Sequence, residues 1–326
     1  MTALLSLGIA PSILASERLN RAIDRLHEEM TLRALARDDL NLPDLRGFRI
    51  AVQAHCRLLE ARSSLQSSLR ANRFAWVDYS QPSNQKRLYL FDLAQGELLH
   101  QTYATHGVES EPQVFISTGN RTLLRRRGHQ ETRFFGRRAG SNMSSLGAAV
   151  ADLEPYFSST FQSQALRMIG LDAALNSNLV SRAIVFHAWG YTDEMARHGY
   201  LPFSQGCLMF PYSDLFEGVP NVDVNRAMIS ALRGVPVYLY HERLVDPALN
   251  ERAWAQDLEA YESMKAELAL RIEEEGLQGR RGEFEAELER QWLKKAKETR
   301  AYFSIGSRYL GQEPKDEEQC LRRWGY

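Results

Sequence analysis

The pattern of apolar and polar positions divides the chain into three regions. Residues 1–72 carry apolar positions at helical spacing, such as Ile23 and Leu26. Residues 73–245 switch to short strand-like runs that are separated by turns. Residues 246–326 return to helical spacing. We therefore predict an α+β protein in which a β-rich core has helices at both ends.

The N-terminal region contains two predicted helices. One starts near Ser16, and the other follows Pro43 and places Ile50 and Ala54 on one side. The first residues are partly apolar, but they lack a basic segment and are interrupted by Pro11. We expect a buried or interaction helix there rather than a cleaved secretion signal.

The middle region alternates strands with turns. Residues 87–93 and 97–105 flank Ala94-Gln95-Gly96 and predict a β-hairpin. The apolar run 183–186 is typical of a strand that is buried on both faces, and such a strand would deliver His187 at its end. Further strands are predicted over 113–118, 165–171, 181–189, 207–211 and 235–241, with a short helix over 222–232.

The C-terminal region predicts a helical hairpin. Apolar residues recur at three- and four-residue steps, or their multiples, from Trp254 to Ile272 and again from Phe284 to Trp292. A glycine-containing break over 276–282 separates the two helices. The hairpin could be a packing appendage that covers sheet surface, or a cap over a functional cleft.

Composition and charge limit the classes of function. The 326 residues are 44% hydrophobic and can bury a substantial core. The formal net charge of −1 provides no overall field for nucleic acid or for an anionic membrane. No apolar run approaches the ~20 residues that span a bilayer. We therefore expect neither a nucleic-acid partner nor a membrane span.

The three cysteines are not equivalent. Their odd number and wide separation do not describe a disulfide framework. Cys56 falls in a helical pattern and is expected to be a packed thiol, whereas Cys320 lies in a charged tail without a base. Cys207 follows a turn-forming Ser204-Gln205-Gly206, and His187 lies 20 residues before it.

A histidine and a cysteine in this order suit a thiolate nucleophile. The thiol needs a base to take its proton and backbone amides to hold an oxyanion. On spacing alone a buried thiol is the simpler interpretation. His187, His198 and Cys207 could also supply three zinc ligands. Because no fourth ligand stands at a typical spacing, we expect no metal and no cofactor.

The order of motifs along the chain points to catalysis. The chain resembles the L,D-transpeptidases, YkuD-type cysteine enzymes of peptidoglycan, in which a histidine is followed later by Ser/Thr-His-Gly-Cys. The matching residues are His187, Ser204, Gly206 and Cys207. The chain is most similar to the subgroup of murein L,D-transpeptidase catalytic domains, over about residues 43–241. The blocks that carry this similarity are 78–83, 87–93, 104–107, 140–147, 170–172, Asn176 and 181–187.

The resemblance implies a YkuD-like catalytic core over 73–245 and a set of site residues. Gln205 replaces the family's usual histidine, which we interpret as tuning rather than loss of activity. Because Ala188 follows His187, a backbone carbonyl is one candidate for the group that orients the imidazole, and the sequence leaves that group open. The implied residues are Cys207 and His187 for catalysis, Gly206, Ser204 and Gln205 for the oxyanion turn, and Arg182, Ser145 and His106 for substrate binding.

The resemblance also implies a reaction on peptidoglycan stem peptides. Cys207 would attack the carbonyl of the third stem residue, usually meso-diaminopimelate, and release the terminal D-Ala of a tetrapeptide. The thioester would then pass to an acceptor. A second stem gives a 3→3 cross-link, a free D-amino acid gives exchange, and water gives L,D-carboxypeptidase activity. These three outcomes stay open.

An arginine-rich segment, residues 121–138, has several interpretations. It holds seven arginines against one acidic residue, with Phe134 and Phe135 among them. A solvated loop and a nucleic-acid patch are both compatible with this composition. Given the resemblance, the arginines could instead hold the carboxylates of peptide stems.

The substrate is periplasmic, yet the N-terminus shows no convincing Sec signal. We favour export by a dedicated apparatus such as type VI secretion, as an antibacterial effector with an immunity protein. The alternative is a cytoplasmic L,D-carboxypeptidase of peptidoglycan recycling. A non-catalytic wall-binding module and a general cysteine hydrolase are further alternatives from other classes.

Overall fold

The computed structural model describes residues 11–34, 45–61, 70, 72–119, 121–124, 131–188, 203–210, 224–244 and 246–306. Within these residues, nine strands form one mixed sheet and two more form a separate hairpin. Helices precede and follow the strands along the chain. The structure therefore confirms the predicted α+β class.

The secondary-structure elements are numbered in chain order. The helices are α1 (Pro11–Ala34), α2 (Leu45–Ala61), α3 (Val224–Leu232), α4 (Pro247–Glu274) and α5 (Arg281–Gly306). The strands are β1 (Arg73–Asp78), β2 (Leu88–Asp92), β3 (Glu97–Thr102), β4 (Ile116–Thr118), β5 (Arg121–Leu124), β6 (Gly147–Ala151), β7 (Tyr156–Ser158), β8 (Ser163–Gly170), β9 (Val185–Ala188), β10 (Leu208–Phe210) and β11 (Pro236–Tyr240).

The large sheet has the strand order β10-β9-β8-β6-β11-β1-β2-β3, and β7 also pairs with β8. Most neighbouring strands are antiparallel. The pairs β9–β10 and β1–β11 are parallel. The strands that carry the candidate chemistry, β9 and β10, therefore lie together at one end of this order.

Alternation along the strands creates two hydrophobic cores. In β1, Phe74 and Trp76 pack with the N-terminal helices, whereas Ala75 and Val77 belong to the main core. This is the two-residue period of a strand with both faces covered. Helices α1 and α2 therefore cover one face of the sheet, where Phe48 of α2 contacts the Trp76 ring at a centroid distance of 6.3 Å.

The main core lies on the opposite face. It includes Ile229 and Leu232 of α3, together with Tyr302 and Phe303 from the end of α5. Helices α4 and α5 bury a further apolar cluster against the small hairpin β4–β5. The predicted helical hairpin is thus present, and its second helix reaches the main core.

The structure departs from the predicted elements where side chains are small or the backbone turns. Strand β9 starts at Val185, two residues after the predicted apolar run begins, because Ala183 has a positive φ of 54°. Strand β6 was not predicted, since its sequence Gly-Ala-Ala-Val-Ala has few residues of high strand propensity. We propose the regions 1–72, 73–245 and 246–326 as units of the chain.

The prediction that Cys56 is a packed thiol is wrong. Its side chain is buried in α2, as expected, but its sulfur is disulfide-bonded. Cys320 lies outside the described residues. None of the described helices combines the length and the apolar character needed to cross a membrane.

Candidate active site

The parallel pairing of β9 with β10 brings the predicted cysteine and histidine together. Leu208 pairs with Phe186, and Met209 pairs with His187. Because side chains alternate between the faces of a strand, Leu208 and Phe186 join the main core. Cys207, His187 and Met209 point the other way and line one cavity.

The cavity around Cys207, called the Cys207 cavity below, has a volume of about 710 Å³. Phe161, Ile184, Phe203 and Met209 give its wall a largely apolar character. Its described lining residues all lie between 139 and 209. No described residue of the C-terminal hairpin is among them, and a cap formed by that hairpin stays a prediction.

The turn before Cys207 requires glycine at position 206. Gly206 has a φ of +113°, a conformation that other residues rarely adopt. A Cβ atom there would lie 3.0 Å from Ile184 Cδ1 and 3.1 Å from the Met143 carbonyl oxygen. The backbone can approach its neighbours this closely only without a side chain.

Two hydroxyl groups form hydrogen bonds to the backbone of the turn. The Gly206 N–H donates to Ser204 Oγ at 2.9 Å, and Ser204 Oγ donates to the Cys207 carbonyl at 2.7 Å. Thr105 Oγ1 donates to the same carbonyl at 3.0 Å and accepts from the Met209 N–H at 3.0 Å. The Cys207 backbone is thus fixed on both sides, and Ser204 supports the turn as predicted from the sequence.

The imidazole of His187 has a defined orientation. Its Nδ1 lies 3.0 Å from the Ala188 carbonyl oxygen. Because a carbonyl only accepts, Nδ1 carries the proton and Nε2 carries the lone pair of the neutral ring. The Phe161 ring stacks on the imidazole at a centroid distance of 3.8 Å and an interplanar angle of 10°. The orienting group is a backbone carbonyl, as the sequence suggested.

Burial keeps both candidate catalytic groups neutral near pH 7. It lowers the pKa of His187 to about 4, against a smaller opposite effect of the hydrogen bond to Ala188. Burial also raises the pKa of the Cys207 thiol, while the Val185 N–H and the charge of Arg182 oppose that shift. A neutral imidazole and a protonated thiol therefore face the same cavity, and the imidazole can act as a base.

Arg182 lines the Cys207 cavity, but its guanidinium bonds to the protein. Nη1 donates to the Gly136 carbonyl at 3.1 Å and to Ser145 Oγ at 2.7 Å. Nη2 donates to the Met143 carbonyl at 2.6 Å. The side chain thereby ties the segment 136–145 to the base of the cysteine turn, and its charge lies close enough to lower the pKa of Cys207.

Ser145 and His106 lie behind the cavity wall rather than on it. Both are buried, and Ser145 Oγ accepts from the lining residue Arg182. The His106 ring lies between Arg87, with Nη2 2.9 Å from Nδ1, and Glu111, with Oε1 3.3 Å from Nε2. The N–H of Ser204, which lines the cavity, donates to the His106 carbonyl at 2.8 Å. The substrate-binding role that the resemblance implies for Ser145 and His106 stays a prediction.

Two residues of the site were missed in the sequence. Thr105 belongs to the block 104–107 that carried the family resemblance, so its neighbourhood was a signal, but its hydroxyl role was not. Phe161 lies in the turn between β7 and β8, where no sequence pattern connects it with His187. Gln205, in contrast, was predicted and lines the cavity.

The described arginines of the segment 121–138 bond to other parts of the protein. Four of its arginines are described, and none of the four lines the Cys207 cavity. The interpretations of the segment as a nucleic-acid patch or as a carboxylate-binding set stay predictions. Arg121 pairs with Glu275 at 2.7 Å, Arg133 with Glu131 and Asp257 at 2.7 and 3.3 Å, and Arg138 with Glu298 at 3.0 Å, while Arg137 donates to the carbonyls of Ala173 and Ala174.

The zinc alternative finds no support in the described part of the chain. There, no group of three His, Cys, Asp or Glu residues is placed to hold a metal ion. His198, which that alternative required, lies outside the described residues.

Comparison with known proteins agrees with the geometry. A family model described as L,D-transpeptidase catalytic domain matches residues 48–228, which is more than half of the 326-residue chain. Searches of curated proteins and of solved structures gave no match. The matched residues include most of α2, the strands β1 to β10 and the turn that carries Cys207. The chain belongs to the L,D-transpeptidase catalytic domain family and is an L,D-transpeptidase-type enzyme that acts on peptidoglycan.

Proposed function

We propose that the protein takes the tripeptide acyl group from peptidoglycan tetrapeptide stems and transfers it through a thioester on Cys207, with His187 as the general base. The observation that carries this proposal is the placement of a neutral imidazole and a protonated thiol on one face of the β9–β10 pair, in one cavity. A thiol with a raised pKa is a weak nucleophile by itself, so its attack requires a base that takes the proton as the carbon–sulfur bond forms.

The reaction divides into two half-reactions. His187 Nε2 takes the proton from Cys207 Sγ, and the sulfur forms a bond to the carbonyl carbon of the third stem residue. The tetrahedral intermediate collapses with cleavage of the C–N bond to D-Ala, and the imidazolium returns the proton to the leaving amine. An acceptor amine or water then attacks the thioester, and the thiol is restored.

The oxyanion of each tetrahedral intermediate needs hydrogen-bond donors. The Gly206 N–H already donates to Ser204 Oγ, so it is committed to the turn. We therefore assign the donor role to the N–H of Cys207, whose carbonyl is fixed by Ser204 and Thr105. This arrangement resembles other acyl-transfer sites in that a rigid turn presents the nucleophile and an amide together.

Mass spectrometry of muropeptides tests the proposed reaction. The protein is incubated with tetrapeptide muropeptides, with and without an isotopically labelled D-amino acid. We expect release of D-Ala from the wild type and none from Cys207→Ala. A dimer, a labelled tetrapeptide or a tripeptide identifies the acceptor as a stem, a D-amino acid or water, respectively. Full activity of Cys207→Ala would refute the mechanism, and binding without turnover would favour a wall-binding module.

We further propose that the protein acts in the periplasm after delivery by a dedicated secretion apparatus, as an effector against a rival's wall. The disulfide at the buried Cys56 supports action in an oxidising compartment, because disulfides rarely persist in the reducing cytosol. Expression directed to the periplasm should be toxic, and cytoplasmic expression should not, with Cys207→Ala harmless in both. Harmless periplasmic expression of an active enzyme would favour a role in recycling. An immunity protein would be expected to relieve the toxicity.

A further inference from the structure

The wall of the Cys207 cavity includes a loop, residues 135–146, that is held from both sides. On the cavity side, Gly140 and Asn142 line the cavity. The Gly136 and Met143 carbonyls of the same loop accept the guanidinium of Arg182. A Cβ atom at Gly206 would lie 3.1 Å from the Met143 carbonyl oxygen and 3.2 Å from Arg182 Nη2, so the loop and Arg182 both lie against the cysteine turn.

On the other side, α5 holds both ends of the loop. Thr299 Oγ1 accepts from the Phe135 N–H at 3.0 Å and donates to the Phe135 carbonyl at 3.1 Å. Tyr302 Oη accepts from the Leu146 N–H at 2.6 Å, and its own proton is shared between the carbonyls of Leu146 at 3.3 Å and Leu175 at 3.1 Å. The hydroxyls of Thr299 and Tyr302 thus supply hydrogen bonds to the loop backbone of the kind that a neighbouring strand supplies in a sheet.

A third residue on the same face of α5 supports the adjacent segment. Lys295, Thr299 and Tyr302 are four and three positions apart, so they share one side of the helix, and all three are buried. Lys295 Nζ donates to the Glu111 carbonyl at 2.9 Å and forms an ion pair with Glu109 at 3.2 Å. The start of that segment bonds to the cysteine turn, where the N–H of residue 108 donates to the carbonyl of residue 204 at 2.7 Å.

We propose that α5 is a built-in brace of the active site and that Thr299 and Tyr302 are positioning residues, which act through the loop 135–146 on Arg182 and the Gly206–Cys207 turn. Helix α5 lies outside residues 48–228, which match the family model. The brace is therefore carried by the part of this chain that follows the family domain. The expected effect on turnover rests on the proposed function, whereas the expected effect on thiol reactivity does not.

Paired substitutions separate the hydroxyl contacts from the packing of the helix. Thr299→Val and Tyr302→Phe remove one hydroxyl each and keep the volume of the side chain. Thr299→Ser retains the hydroxyl, and Tyr261→Phe makes the same tyrosine change elsewhere in the helical hairpin. Far-UV circular dichroism and thermal melting identify the folded state of each variant. The measurements are the rate of Cys207 alkylation by iodoacetamide, localised by peptide mass, and kcat/KM for D-Ala release.

Loss of the brace should change the two measurements in opposite directions. Burial is the main cause of the raised pKa of the Cys207 thiol, so a loosened wall should increase alkylation near neutral pH by about threefold or more. The same displacement should lower kcat/KM by about 10-fold in Thr299→Val and in Tyr302→Phe, since a small misplacement of reacting groups is costly. Thr299→Ser and Tyr261→Phe should stay within about twofold of the wild type.

Folded Thr299→Val and Tyr302→Phe proteins with wild-type alkylation and wild-type kcat/KM would overturn the proposal. If neither variant folds, Arg138→Gln tests the same link at the surface, because Arg138 joins the loop to Glu298 of α5 at 3.0 Å. That variant should show the same two changes at smaller size, and unchanged values would overturn the brace. A wild type that releases no D-Ala while alkylation responds as expected refutes the proposed function and leaves the brace in place.

Discussion

The Cys207 cavity and a second cavity beneath α4 differ in the charge state of the ionisable groups buried at them. The second cavity, the arginine cavity below, has a volume of about 320 Å³ and is lined by Arg133, Arg243 and Arg252, among others. The fully buried carboxylate of Asp257 accepts from Arg133 and from Arg243 at 3.3 Å each. In the Cys207 cavity, by contrast, burial leaves Cys207 and His187 uncharged.

The difference distinguishes buried groups that stabilise the fold from buried groups that can react. A buried charge that is neutralised by a partner fixes two elements to each other, and here it joins α4 to the segment around Arg133. A buried thiol and a buried imidazole that burial keeps neutral hold protons that can still move. The arginine-rich segment drew attention in the sequence because of its charge, yet its described arginines serve the structural purpose.

The substitution Cys207→Ala is expected to have the largest effect on activity. We expect kcat/KM for D-Ala release to fall by at least about 10³-fold, roughly 4 kcal/mol of transition-state stabilisation, because the thiol forms the covalent intermediate. The melting temperature should stay close to that of the wild type, since the thiol contacts backbone groups of Ala183, at 3.7 Å, and Val185, and such sulfur hydrogen bonds are weak. A large loss of stability would show that the thiol is a structural group.

The reverse pattern is expected in the arginine cavity. Asp257→Asn removes the carboxylate that pairs with the buried Arg243, while Arg133 keeps its ion pair with Glu131. The free energy of unfolding should fall by about 3–5 kcal/mol, as for other broken buried pairs. Urea denaturation measures this loss. Glu262→Gln, on the exposed side of the same helix, is the matched control and should leave the urea midpoint unchanged. An equal effect of both variants would contradict the distinction between the cavities.

Substitution of Arg182 tests whether catalysis needs its hydrogen bonds or only its positive charge. Arg182→Gln should lower kcat/KM by about 10- to 100-fold, because the carbonyls of Gly136 and Met143 lose a common donor. Arg182→Lys restores the charge without the planar fork and should recover only part of the loss. Full recovery by lysine would show that charge alone matters. Steady-state kinetics of D-Ala release distinguishes the two outcomes.

The pH dependence of kcat/KM is expected to show the smallest effect, and it reports directly on the protonation of His187. Because burial lowers the pKa of His187 to about 4, kcat/KM should fall only below about pH 5, as the protonated ring can no longer accept a proton from Cys207. Phe161→Leu removes the stacked ring and should move this acid limb upward, towards the ordinary value near 6.5. An acid limb near 6.5 in the wild type would contradict the desolvated environment.

The sequence predicted the parts of the site that local patterns determine. The apolar run before His187 and the glycine before Cys207 indicated a buried strand and a special turn, and both are present. The direction of Arg182 was not predictable, because its partners come from a loop about 40 residues away in the chain. The contacts of Thr299 with Phe135 connect residues 164 positions apart, and no periodicity reports such a pairing.

The central claim is the thioester on Cys207, and an intact-protein mass spectrum tests it most directly. The protein is mixed with a tetrapeptide stem, quenched in acid at short times, and digested to locate the adduct. The account predicts an increase in mass equal to the tripeptide acyl group, carried by the peptide that contains Cys207 and lost on incubation with an acceptor. Release of D-Ala with the acyl group on another residue, or with no acyl-enzyme and undiminished turnover in Cys207→Ala, would contradict it.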